Sequence, residues 1–228
     1  MGALIAALIA ATPLETRLAS YEAARGALEA KRVELATQWK KSPRQARAIA
    51  RKAVLDYLDQ AAFPAWKGTP WEFYGTSTTP GEGTIACGYF VTTVLEQAGF
   101  KIERVWLAQQ ASAVLVNTLA HGTKVEWLRP ADNADAVAQI KERFSAAKLV
   151  VIGFDYHVGL MRLEGDEARF CHSSFIEPAA VTCEDPVPTG AFASKVYVVG
   201  DVLNDALLYD WLNARAVKSV RARRRCSA

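Results

Sequence analysis

The sequence predicts an α+β domain built on an antiparallel sheet, with a helical extension in front. Two observations predict it. Residues from Leu14 to about Phe63 are rich in Ala, Glu, Arg, Lys and Leu, a composition that favours helix. Four β-rich segments come much later, "KLVVIGF", "HVGLMRL", "ARFCHSS" and "KVYVVGD", with turn residues between them. Helices first and consecutive strands afterwards argue for an antiparallel sheet rather than a doubly wound one. A length of 228 residues accommodates one catalytic-sized domain with an appendage. The expected division is a helical extension over 1–63 and a main domain over 64–228.

Taken in order, the chain starts with "MGALIAALIAATPLET". Its apolar run, residues 1–12, matches the h-region of a secretory signal in length and is too short for a bilayer span, which needs about 20 residues. No Lys or Arg precedes it, and Leu4, Ile5, Leu8 and Ile9 also recur at helical spacing. Export and cytoplasmic residence both remain open, and no integral membrane span is expected. Between Leu14 and Phe63 a helical hairpin is expected. It breaks at "KSPRQAR", where Ser42 is placed to cap a fresh helix and Pro43 fits its first turn.

Residues 63–88, "FPAWKGTPWEFYGTSTTPGEGTIACG", crowd prolines, glycines, threonines and aromatics together and read as a long structured loop, a kind that often carries function. Helical patterning resumes over 88–98 and stops at Gly99. Further helices are expected near 107–120 and 132–146, and a last one over about 203–216.

Composition sets limits on function. A net charge of +3 is too small to argue for nucleic acid, and the basic run "RARRR" lies at the extreme C-terminus. None of the four cysteines forms a C-x-x-C pair, so neither a metal site nor a cofactor is expected. Cys171 and Cys183 would bridge only in an oxidising compartment and with suitable geometry. The oligomeric state is not written in the sequence.

The chemistry concentrates on one cysteine and two of the three histidines. Cys87 opens the helix in "GTIACGYFVTTVLEQAGF", where the helix dipole favours thiolate and lowers the thiol pKa, and where free N–H groups can hold an oxyanion. His157 and His172 flank "VGLMRLEGDEARFC", which reads as a hairpin with its tip in "LEGDEA". With Glu164-Gly165 or Gly165-Asp166 as a two-residue turn, His157 lies opposite His172 or opposite Ser174. Both registers leave the imidazoles on one face, within reach of a hydrogen bond. A thiol nucleophile needs a base and a group to orient that base, and His157 and His172 fit these roles. Asp155 is the substitute orienter. Cys171 alternates with His172 and should face the other side of its strand. His121, followed by Gly122, is expected at a helix terminus.

These motifs resemble the NlpC-type branch of the papain-like cysteine peptidases. Members typically show a Cys-Ser-Gly-Phe-Val helix start, a His-Val-Gly-Ile strand and a Phe-Ile-His-Ala-Ser strand. The resemblance covers residues 83–100 and 151–176, and departs in Ala86-Cys87-Gly88-Tyr89, where Asp-Cys-Ser-Gly is usual. It implies a papain-like core, with Cys87 as nucleophile, His157 as base, His172 as its orienting partner and Tyr74 beside the oxyanion hole. The implied activity is hydrolysis of a peptide or small amide, bacterial cell-wall peptides first among them. An acyl or peptidyl transferase on the same core and a catalytically inactive binding module are the alternatives.

Overall fold

A computed structural model of the chain describes residues 14–220. The signal-like run over 1–12, the basic run and Cys226 lie outside the described residues. The N-terminal helices are α1 (Leu14–Trp39) and α2 (Pro43–Tyr57), followed by a π-helical turn (Leu58–Ala62) and a short α3 (Phe63–Trp66). Ser42 occupies the cap position of α2, though its side chain makes no capping hydrogen bond. Apolar positions on α1 and α2, among them Tyr21, Leu28, Leu35 and Val54, are buried in the same core as the sheet residues Leu160 and Val198. The hairpin is thus packed against the sheet-bearing part. The π turn aims Asp59 at two arginines of the sheet, Arg162 at 2.8 Å and Arg169 at 3.3 Å.

The middle of the chain forms α4 (Cys87–Gln97), α5 (Arg104–Ala108), α6 (Ser112–Leu119), β1 (Val125–Leu128) and α7 (Asn133–Arg143). Gly99 adopts a positive φ of 94° just beyond α4, the backbone turn that ends the helix. Strands β2 (Leu149–Gly153), β3 (Val158–Glu164), β4 (Glu167–Ser173), β5 (Val181–Glu184) and β6 (Tyr197–Asp201) follow, and α8 (Asp205–Leu212) closes the described fold.

The strands make one six-stranded sheet in the order β1-β6-β2-β3-β4-β5, antiparallel throughout. This is the α+β architecture with an antiparallel sheet. Sequence reasoning found β2, β3, β4 and β6 but neither β1 nor β5. The missed strands are the two edges, four residues each and only partly buried. A short half-exposed edge carries little of the hydrophobic alternation by which a strand is recognised. The segment expected as a single loop over 63–88 begins instead with the helical turn of α3.

Two apolar layers cover the sheet. Val158, Leu160 and Cys171 face α4 in the larger core, and Met161, Leu163 and Phe170 face Val137 and Ile140 of α7 in the smaller one. Cys171 and Cys183 stand directly opposite each other on β4 and β5 and form a disulfide, their Cα atoms 4.0 Å apart.

Candidate active site

The loop between α3 and α4 is pinned to the sheet edge before it delivers Cys87. Gly68 N–H donates to Val181 O at 2.9 Å, Trp71 N–H to Ala179 O at 2.9 Å, and Ser173 Oγ–H to Ile85 O at 2.6 Å. Ala86 then caps α4 in an extended conformation, and Cys87 is its first residue. Gly88 is needed at the second position: a Cβ there would lie 2.4 Å from the carbonyl oxygen of Ala108, on the neighbouring α5.

Burial is the largest influence on the Cys87 thiol and pushes its pKa up, outweighing the backbone N–H groups of Val158, Gly88 and Cys87 that favour the thiolate. This overturns the expectation that the helix dipole leaves a lowered thiol pKa. The dipole and the N–H groups favour S⁻ as expected, yet desolvation of a charged sulfur costs more.

His157 precedes β3, in a turn closed by Phe154 N–H donating to the His157 carbonyl at 2.8 Å. The β3–β4 register pairs Glu164 with Glu167 and Leu160 with Cys171, so the turn is Gly165-Asp166. His172 therefore stands opposite Gly159, diagonal to His157, and the two rings bond directly: His157 Nε2 lies 2.8 Å from His172 Nδ1. Both side chains are buried. Phe170 stacks on His172 at 4.3 Å, and Phe154 stacks on His157 at 5.9 Å. Burial, reinforced by the adjacent His172, pushes the His157 imidazole well below its usual 6.5, and burial does the same to His172. Both rings are neutral at physiological pH.

The far nitrogen of His172, Nε2, lies 3.0 Å from Glu184 Oε1 on β5. Glu184 is a member of this constellation that sequence reasoning missed, because it sits on a strand too short to be recognised. A signal did exist: Glu184 follows Cys183, so once Cys171 pairs with Cys183 the alternation of the strand puts it on the His172 face. The substitute orienter, Asp155, is exposed in the turn before His157 and accepts a hydrogen bond from Ser194 Oγ at 3.1 Å. It does not bond either imidazole among the described contacts.

Helix α4 packs on the Cys171 face of the sheet, whereas His172 shares the opposite face with Phe170. The two sides meet at the start of β3. Val158 N–H reaches the Cys87 sulfur, and the preceding residue, His157, lines one cleft of about 640 Å³ together with Cys87. The remaining nitrogen of His157, Nδ1, is buried and has no hydrogen-bond partner among the described residues. Tyr74 lies in the same cleft, 84% exposed, its ring edge-on to Phe73 at 4.9 Å. His121 follows α6 in a left-handed conformation and pairs with Asp210 at 3.0 Å, away from Cys87. No cluster of three or more metal-ligating side chains occurs among the described residues, and no described helix is long and apolar enough to cross a membrane.

No family model, curated protein or solved structure matches the chain.

Proposed function

We propose that this protein is a cysteine-dependent amide hydrolase on a papain-like core, with Cys87 as nucleophile, His157 as general base and acid, and His172 as the residue that orients His157. The observation that carries this reading is the buried, unpartnered Nδ1 of His157, a residue that lines the same cleft as Cys87, with the other ring nitrogen bonded to His172. A polar atom buried without a partner costs free energy, so its retention calls for a reason, and accepting a thiol proton supplies one.

The reaction begins from a neutral thiol and a neutral imidazole, since burial raises one pKa and lowers the other. As Cys87 Sγ bonds to the carbonyl carbon, its proton passes to His157 Nδ1 and the carbonyl electrons move onto oxygen. The N–H groups at the start of α4, with Tyr74 at the rim of the cleft, stabilise the oxyanion. The C–N bond then breaks as His157 returns the proton to the departing amine. Water, deprotonated by His157, attacks the thioester, the C–S bond breaks, and a carboxylic acid and the free thiol result.

The experiment is turnover of a panel of N-acyl aminocoumarins by the wild-type protein and by Cys87→Ala. Hydrolysis by the former and none by the latter supports the reading. Equal hydrolysis by both refutes it.

A further inference from the structure

We propose that the substrate cleft is divided at His157 into an uncharged, aromatic acyl-binding side and a polar side for the leaving amine. This rests on the hydrolase reading above. On the Cys87 side the walls are Trp71, Phe73 and Tyr74 from the loop before α4, Tyr89 from α4, and Tyr156 and Phe175 from the sheet end. Phe73 and Tyr74 are 69% and 84% exposed on this side, and Tyr156 and Phe175, 94% and 43% exposed, stand at the boundary by His157, a concentration of apolar surface open to water that a ligand would cover. The polar groups of this lining are neutral, chiefly Thr76, Gln109 and Gln110, and it contains no Asp, Glu, Lys or Arg. Arg104 does lie against the Tyr89 ring at 5.1 Å, but its guanidinium donates to Thr93 Oγ1 and to the carbonyls of Thr76 and Ser77.

Beyond His157 a second depression shares Tyr156, His157 and Phe175 with the first and adds Phe154, Ala191 and Ala193 together with the polar Asp155, Ser194 and Lys195, which bring the charges that the first lacks. The imidazole that protonates the leaving nitrogen must stand on the leaving-group side of the scissile bond, so the amine falls toward these polar residues and the acyl group toward the aromatic ones. A charge on the acyl side would lose water and gain no counter-ion, whereas the same charge on the amine stays among polar groups. The substrate class is an amide of an aromatic or bulky apolar acid.

Binding to the Cys87→Ala protein tests this without requiring turnover; Cys87→Ser serves if the alanine variant is unstable. Phenylpropionyl amides are titrated calorimetrically in matched pairs, with one carboxylate placed on the acyl ring or on the amine, and a cell-wall-type peptide completes the charged arm. The acyl-side carboxylate is expected to weaken binding at least tenfold, and the amine-side one by less. Equal or tighter binding of acyl-charged ligands overturns the division of the cleft. Failure of the hydrolase reading appears separately, as absence of turnover by the wild-type protein.

From the His172–Glu184 contact we infer that Glu184 is a positioning residue that fixes the tautomer of both imidazoles. A carboxylate only accepts hydrogen bonds, so the 3.0 Å contact puts a proton on His172 Nε2. A neutral ring protonated there has a lone pair on Nδ1, which must accept from His157 Nε2–H at 2.8 Å. That leaves a free lone pair on His157 Nδ1, the buried atom without a partner, which is the state a general base requires. The side chain of Glu184 is 35% exposed, so the series runs along one face of the sheet, from solvent at β5 to the residues before β3.

Nitrogen NMR of the labelled imidazoles tests this in the wild-type and Glu184→Gln proteins. Both histidines are expected as Nε2–H tautomers in the wild type. The isosteric amide, able to donate as well as accept, is expected to mix the tautomers of His172 and to slow turnover about 10–100-fold, as loss of a partner orienting a histidine typically does. A wild-type His172 protonated on Nδ1, or unchanged tautomers in the variant, overturns the inference whatever the fate of the hydrolase reading.

Discussion

His157 Nε2 and His172 Nδ1 lie 2.8 Å apart although the two residues are not opposite each other in the β3–β4 register. The bond is made on the diagonal, past Gly159, which contributes no side chain between them.

Gly159 is therefore a sensitive position. A Cβ there would lie 2.4 Å from Phe170 Cε2 and 3.0 Å from His172 Cβ. Gly159→Ala is expected to displace the Phe170–His172 stack, to destabilise the protein by about 1–3 kcal/mol as overpacking does, and to reduce turnover beyond what stability explains. Denaturant melts alongside initial rates check this, and a variant with wild-type values of both would contradict it.

Removal of the sulfur separates chemistry from folding. Cys87→Ala should lower kcat/KM by at least about 10³-fold, in line with nucleophile deletions. The unfolding midpoint should change by the equivalent of about 1 kcal/mol or less, since the side chain is only partly buried.

The two histidines should not be equivalent. His157→Ala removes the proposed base and is expected to match the cysteine variant in rate. His172→Asn keeps a polar partner for His157 and should retain more activity than His172→Ala, which also leaves a cavity beneath Phe170. Steady-state kinetics of the three variants on one substrate rank them.

Stability should fall in mild acid. Both imidazoles have folded pKa values lowered from 6.5 by burial, so below about 6.5 the unfolded chain binds protons that the folded chain refuses. Their contribution is complete above 6.5 and declines as the pH drops toward the folded values. Two such groups give a slope of at most about 2.7 kcal/mol per pH unit. Urea melts between pH 7.5 and 5 measure it, and His172→Asn should reduce the slope by about half.

The free thiol should titrate late. With burial dominating at Cys87, the midpoint of iodoacetamide labelling is expected above 9.0, the ordinary thiol value. A midpoint below 8 would mean that a preformed thiolate exists and that the neutral starting pair is incorrect.

Much of the site could be read from residue order. The placement of Cys87 at a helix start, the hairpin between His157 and His172, and the turn of Cys171 to the face opposite His172 all follow from local rules of period and turn chemistry. Those rules act over a few residues and do not depend on what lies across the sheet. The choice between the two hairpin registers, the edge strands β1 and β5, and Glu184 did not follow from them.

The sequence by itself determined that Cys87 opens a helix and on which side of its strand His172 stands, because side-chain direction is set by backbone geometry alone. Only the tertiary structure decided what surrounds them. It packed α4 on one face of the sheet and the imidazoles on the other, brought Glu184 beside His172, and removed enough water from the Cys87 thiol to raise its pKa. Burial depends on contacts between segments far apart in the chain, and the pKa of a group depends on burial; neither is encoded in the residues adjacent to it.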